Sequence, residues 1–185
     1  MIPQVIFCFL SVWFLVYLLL PGPSVIYDFS PLPNSIKSKA EGDTIQVPNV
    51  SAYYSFNFRD FVIPFYQKNF KKKTWFPFPP FRLNYPPEYA FKAIKDQTES
   101  TYLEELVYPF RDSLFVNGME PFYPDGSPRY FSAKQFGIEE GNFNTKTTLR
   151  YYSSPYIVRI FYWFGLNIII ILMWRIGKGM FRSGE

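Results

Sequence analysis

The chain has 185 residues, 22% of them aromatic and 18% charged, with 17 prolines and a formal net charge of +4. It has no histidine and one cysteine, Cys8, which excludes an internal disulfide framework, zinc or haem sites built on His and Cys, and every triad with histidine as proton carrier. Acids and bases nearly balance between Pro21 and Val158, and the basic excess lies in the tail with Arg175, Lys178 and Arg182, an arrangement that disfavours nucleic-acid binding.

The run "IPQVIFCFLSVWFLVYLLL" from Ile2 to Leu20 has no charged side chain, and about 19 helical residues approach the roughly 30 Å hydrocarbon core of a bilayer. A cleaved signal peptide is the alternative, but a basic n-region is missing and the run ends in "LLLPGPS", a poor cleavage site. Residues 1–20 are therefore expected to be an uncleaved transmembrane anchor. Residues 21–48, rich in Pro, Ser, Gly and Asn, read as an extended linker.

Residues 49–154 are expected to form a small extracytoplasmic α+β domain, a short sheet with a hairpin plus one major, kinked helix. Val50, Ala52, Tyr54, Phe56 and Phe58 alternate with polar neighbours as in a half-buried strand. Phe58, Phe61, Val62 and Phe65 then take helical spacing, which predicts a helix over 59–72 with Asn57 as a possible cap, kinked or broken at Pro64. Lys68 and Lys71 to Lys73 suit the C-terminal dipole of that helix, or an anionic headgroup surface.

The Pro-rich "TWFPFPPFRLNYPPEY" predicts an edge strand or a polyproline-like crossing whose rings pack on the core. Exposed, Trp75 and Phe78 would instead stack on sugars or take up a Pro-rich partner. Pro86, Pro87 and Glu88 read as a helix start. Ala90, Phe91, Ile94, Tyr102, Leu103, Leu106 and Phe110 recur near a period of 3.6, which predicts either one long helix, kinked in the polar run from Asp96 to Thr101, or two consecutive helices, the second started by the capping box Thr101-x-x-Glu104. Asn117-Gly118 then supplies a C-cap or a two-residue turn. Pro124-Asp125-Gly126 predicts a hairpin turn between Phe122-Tyr123 and Tyr130-Phe131. Phe143, Thr145, Thr147, Leu149 and Tyr151 share one face of a returning strand.

The second apolar run, "IVRIFYWFGLNIIIILMW", predicts a transmembrane helix over 155–175 with aromatic residues toward both ends. Arg159 lies near one end and is expected to snorkel, and Asn167 is expected to bond to the first helix, to another copy or to a local carbonyl. The basic tail 176–185 belongs in the cytoplasm by the positive-inside rule. Both termini are then cytoplasmic and the middle outside, in the plasma or inner membrane.

Chemistry is sparse. Glu104-Glu105 and Glu139-Glu140 are acidic pairs without convergent geometry, and Ser132 with Lys134, or Ser35 with Lys37 and Lys39, are weak dyads on spacing alone. Asn49-Val50-Ser51 matches a glycosylation acceptor. No cofactor and no metal is expected. The preferred expectation is a non-enzymatic scaffold or assembly component of the cell envelope, its partners the bilayer and either another protein or its own copies through the membrane helices. An aromatic-lined module for glycan or lipid is the alternative, and a histidine-free hydrolase a third. The candidate interaction surface comprises Trp75, Phe78, Asp96, Thr98, Glu99, Thr101 and Asn167.

Overall fold

The structure, a computed structural model, describes residues 2–40, 43, 47–94 and 99–182. The chain divides into two units, one of residues 1–20 with 154–185 and one of residues 21–153. The class is α+β: among the described residues there are four helices and a six-stranded antiparallel sheet.

In the second unit the strands β1 (Ile36–Lys37), β2 (Val50–Ser55), β3 (Phe81–Tyr85), β4 (Tyr102–Tyr108), β5 (Asp112–Met119) and β8 (Thr145–Ser153) lie in the order β1-β2-β8-β5-β4-β3. The remaining two, β6 (Phe136–Ile138) and β7 (Gly141–Phe143), form a separate hairpin with Glu139-Glu140 in its turn. The expected returning strand is β8, flanked by β2 and β5 in the sheet, with Thr145, Thr147, Leu149 and Tyr151 buried on one face. Helix α2 (Arg59–Lys73) covers this face: Phe70 meets Tyr108 and Tyr151 with ring centroids 5.0 and 6.0 Å apart.

Helix α2 falls where the spacing predicts it but rotates its apolar stripe. Val62, Ile63, Tyr66, Asn69 and Phe70 are buried, whereas Phe61 is exposed and stacks on Phe65 on the outer side. Asn69 is admitted to the interior because its side-chain oxygen accepts from the Ser30 amide at 3.4 Å. The helix continues through Pro64, since the carbonyl that loses its partner belongs to exposed Asp60. Asn57 does not cap it: its amide donates to the Pro33 carbonyl, and the Arg59 amide donates to the Glu120 carboxylate instead.

The stretch expected to be a linker is packed. Ile26, Phe29 and Leu32 are buried, with the Phe29 ring 5.3 Å from Phe70 and 5.1 Å from Tyr151.

The largest correction concerns 86–118. The long kinked helix does not form: only a 3-10 turn (Pro87–Tyr89) and one α-turn, α3 (Ala90–Ala93), precede the β4–β5 hairpin. The physical reason is Glu104. Scored as a solvent residue it makes "YLEELVY" read as amphipathic helix, but it is buried and ion-paired, so Tyr102, Glu104, Leu106 and Tyr108 form one inward face of a strand. Likewise Asn117-Gly118 is neither cap nor turn. Gly118 lies opposite Tyr102 in the ladder and the phenol ring covers it. Around Pro124-Asp125-Gly126 the turn forms, with the Gly126 amide on the Tyr123 carbonyl, but its flanks reach only an isolated Phe122–Pro128 bridge.

The first unit holds α1 (Ile2–Leu19) and α4 (Tyr156–Arg182). Among the described residues one helix is long and apolar enough to cross a membrane, α4 over Tyr156–Gly179, while the apolar stretch of α1, Gln4–Leu19, is shorter. The two are joined by polar bonds. Ser11 donates to the Asn167 side-chain oxygen at 2.7 Å, and the Trp163 indole donates to the Ser11 carbonyl at 2.9 Å. Arg159 does not snorkel. It is buried and donates to the carbonyls of Ser154 and Leu18, where α1 has its orphan acceptors.

Gly118 generates a direct prediction. A Cβ there would lie 2.0 Å from Tyr102 Cε1, and this ring is buried against the sheet, so Gly118→Ala should cost about 1–3 kcal/mol or more. Thermal unfolding of the detergent-solubilised full chain by circular dichroism checks it, and an unchanged midpoint would contradict the packing.

Candidate functional site

Strand alternation separates two surfaces of the β3–β4–β5 region, one buried and charged, the other mixed in polarity and open toward the β3 edge. On the α2 side, Glu104 is 0% exposed and accepts from Arg59 Nε at 2.6 Å and from Arg82 Nη2 at 2.6 Å. Arg59 also donates to the Asn84 side-chain oxygen at 3.1 Å and lies over the Tyr102 ring. Glu120, likewise buried, accepts from the Arg59 amide at 2.6 Å and from Arg129 at 2.9 Å. Two buried acids are thus matched by three arginines, as buried charge requires. The tyrosines nearby hold their protons: burial pushes the Tyr66 and Tyr102 hydroxyls far up.

On the other face the register aligns Phe81, Leu83 and Tyr85 of β3 with Val107, Glu105 and Leu103 of β4, then Ser113, Phe115 and Asn117 of β5. Phe81 is 65% exposed and Leu83 43%. At the centre the Tyr85 hydroxyl donates to Glu105 at 2.6 Å, and Ser113 donates to the other oxygen of the same carboxylate. The Glu105 hydrogen bond pushes the Tyr85 pKa up to about 12, so Tyr85 is a donor throughout the physiological range. The ring of Phe115 stands 6.3 Å from Tyr85 and 5.7 Å from Tyr152, and the Arg150 guanidinium lies 4.6 Å over Tyr152. Beyond β3 no further strand pairs among the described residues. This edge and its open face form the candidate site, one of hydrophobic and ring contacts with a hydrogen-bonded carboxylate at its centre.

The residues singled out from sequence scatter. Trp75 and Phe78 are 78% and 63% exposed, so their rings do not pack on the core as expected. Asp96 and Thr98 lie outside the described residues, and Glu99 is exposed. Thr101 is structural: its hydroxyl accepts from the Glu120 amide at 2.8 Å. Asn167 belongs to the helix unit, bonded to Ser11. The acidic pairs do not converge either, because Glu104 and Glu105 point to opposite faces of a strand and Glu140 pairs with Lys39 at 3.0 Å. Of the dyads, Ser35 donates to the Leu32 carbonyl and Lys37 lies over Tyr27. Asn49 takes a left-handed φ of 58° and its side-chain oxygen accepts from the Ile26 amide. Among the described residues no group of three or more His, Cys, Asp or Glu could hold a metal ion. A cleft of about 330 Å³ lies between Ser38–Ala40 and the β6–β7 turn, with Lys39 and Glu140 both in its wall.

The open face escapes a sequence reading because Phe81 and Leu83 look like core residues. The one available signal is the proline cluster before them, which marks an edge strand.

Comparison with protein-family models, with curated proteins and with solved structures gives no match.

Two predictions follow from the charge cluster. Glu104→Gln removes the counter-charge of Arg59 and Arg82, but those side chains are 35% and 46% exposed and water screens them, so the loss should fall below the roughly 3–5 kcal/mol of a fully buried pair, at about 1–3 kcal/mol; urea unfolding of the full chain checks it. Glu120 carries a pH signature. Burial raises its pKa above the ordinary 4.5, against the opposing pull of the Arg59 amide and Arg129. The native state therefore holds more protons than the unfolded chain above pH 4.5, and this group's contribution to stability falls as pH rises through its raised pKa. In Glu120→Gln that decline should vanish, so the stability of the variant relative to wild type rises with pH. Parallel unfolding curves from pH 4.5 to 7 would refute the assignment.

Proposed function

We propose that the protein is a non-enzymatic interaction or assembly component of the cell envelope, anchored in the bilayer by α1 and α4. The β unit then takes up an extended segment of a partner protein along the β3 edge. The observation that carries this reading is the edge itself. Sheet edges are ordinarily blunted by outward charge, proline or cover, yet β3 exposes Phe81 and Leu83, and its one charge, Arg82, is drawn toward Glu104. Strand addition uses such a combination: unpaired backbone groups give affinity, and alternate side chains give specificity.

Anchoring rests on α4 by length and on its bonds to α1. The Ser11–Asn167–Trp163 set and the Arg159–Leu18 bond supply the polar links between helices that hydrocarbon surroundings require. With Arg175 and Lys178 following the apolar run, the positive-inside rule puts the C-terminus in the cytoplasm. If α1 also crosses, the N-terminus is there too, and the β unit lies outside the plasma or inner membrane.

The test is site-specific photocrosslinking in native membranes. Benzoylphenylalanine at position 83 should yield a discrete higher-mass adduct, and the same probe at Ser127, in the exposed turn after Asp125, should not. Monomer alone at position 83 would defeat the proposal.

A further inference from the structure

We propose that the end of the β unit carrying Trp75, Phe78 and Phe110 is a lipid-binding surface, seated in the headgroup layer of an anionic bilayer. This rests on the reading of α1 and α4 as the membrane anchor.

The placement follows from contacts inside the β unit. The chain enters the unit at Pro21–Pro23 and leaves it at Ser153, and both points lie at one end of the sheet. The Pro21 carbonyl accepts from Arg111 at 3.4 Å, and a Cβ on Gly22 would stand 3.2 Å from Asp112 Oδ2 and 3.5 Å from the Thr74 methyl. Ser153 pairs with Asp112 in the ladder and donates to its carboxylate at 3.1 Å. Between Tyr108 and Asp112 lies the β4–β5 loop, with Phe110 at φ 61° and 48% exposed. Tyr108 fixes the aromatic segment to the same end: its hydroxyl accepts from Thr74 at 3.0 Å and donates to the Phe78 carbonyl at 3.0 Å.

Chain connectivity brings the bilayer here. Only Leu20 separates α1 from this unit, and only Ser154 and Pro155 separate it from α4. Each residue spans at most about 3.6 Å, so a unit tied twice this tightly keeps this end beside the surface its anchors cross.

The chemistry fits that surface. A Trp ring, with its apolar body and polar N–H, partitions to the headgroup level, and Phe rings bury at the acyl boundary beneath it. Beside them the last turn of α2 exposes Lys71, Lys72 and Lys73, and lysines close to a membrane attract anionic lipid. The nearest acids are engaged within the unit. Asp112 is buried against Arg111, and Asp28 accepts from the amides of Ser24 and Val25. A water-facing surface gains nothing from three such rings, and a lipid surface gains their burial.

The test uses the full chain in vesicles of phosphatidylcholine containing about one quarter phosphatidylglycerol. In a Cys8→Ser background, nitroxides on Trp75→Cys, Phe78→Cys and Phe110→Cys are compared with one on Asp125→Cys, beyond the opposite end of β5. Accessibility to oxygen relative to a water-soluble nickel chelate should be several-fold higher at the first three, about threefold or more, as for groups at the acyl boundary. Charge reversal of Lys71 to Lys73 should lower it. A nitroxide on the native Cys8 reports separately on the anchor. If Cys8 is in lipid while positions 75, 78 and 110 are as wet as 125, the lipid seat is wrong and the anchor stands. If Cys8 is itself in water, the anchoring reading falls and the seat with it.

Discussion

A carboxylate with no exposed surface in the middle of a strand dictates much of this fold. Glu104 cannot remain ionised in the interior without matched donors, and the two that it has come from different elements, Arg59 at the start of α2 and Arg82 at the sheet edge. The pairing therefore joins helix, edge and β4 at a single point. Glu120 extends the arrangement: one oxygen takes the first amide of α2, doing the work of a side-chain cap, and the other takes Arg129. Desolvation of these acids costs energy that well-packed apolar residues would not. What the charges provide instead is registry, because a one-residue slip of β4 would turn Glu104 toward the open face and leave both arginines unmatched.

The same pairing explains what the sequence concealed. The class, α2, the strands at 50–55 and 145–153 and the apolar terminal runs were legible because their periodicities are unbroken. The hairpin at 102–119 was not. Tyr102, Glu104, Leu106 and Tyr108 alternate cleanly only if an ionised glutamate counts as core, and that requires knowing that Arg59 and Arg82, 45 and 22 residues away, close on it. Gly118 misled for a parallel reason. In sequence an Asn-Gly pair is the strongest short turn signal, whereas in the sheet this glycine exists because the Tyr102 ring fills the space of a side chain. Local chemistry pointed one way and a cross-strand contact decided the other.

Among the described candidate residues, Thr101 and Asn167 are taken up by hydrogen bonds inside their units, whereas the aromatic Trp75 and Phe78 stay exposed. Thr101 and Glu104 proved structural because buried polar groups in a small domain must satisfy one another. Exposed apolar groups gather at two places, Phe81 and Leu83 on the edge and Trp75, Phe78 and Phe110 at the end. In the helix unit the relation is reversed. There Asn167, Ser11 and Arg159 are polar groups among apolar residues, and each is bonded to the other helix.

Phe110 bears most directly on the proposed lipid seat. A φ of 61° in the three-residue loop between Tyr108 and Asp112 is a position that glycine or asparagine fills without strain, and a residue with a Cβ there costs about 1–2 kcal/mol. Against that cost the chain places a large ring that remains half exposed. Its neighbours at this end, Trp75 and Phe78, are held outward by a segment whose own anchors, Thr74 and Tyr108, are buried. Strain retained beside an exposed apolar group accords with the proposed lipid seat. The fold thus concentrates its ionic bonds where they fix β4 and spends its exposed rings on the edge and on the end where the chain enters and leaves.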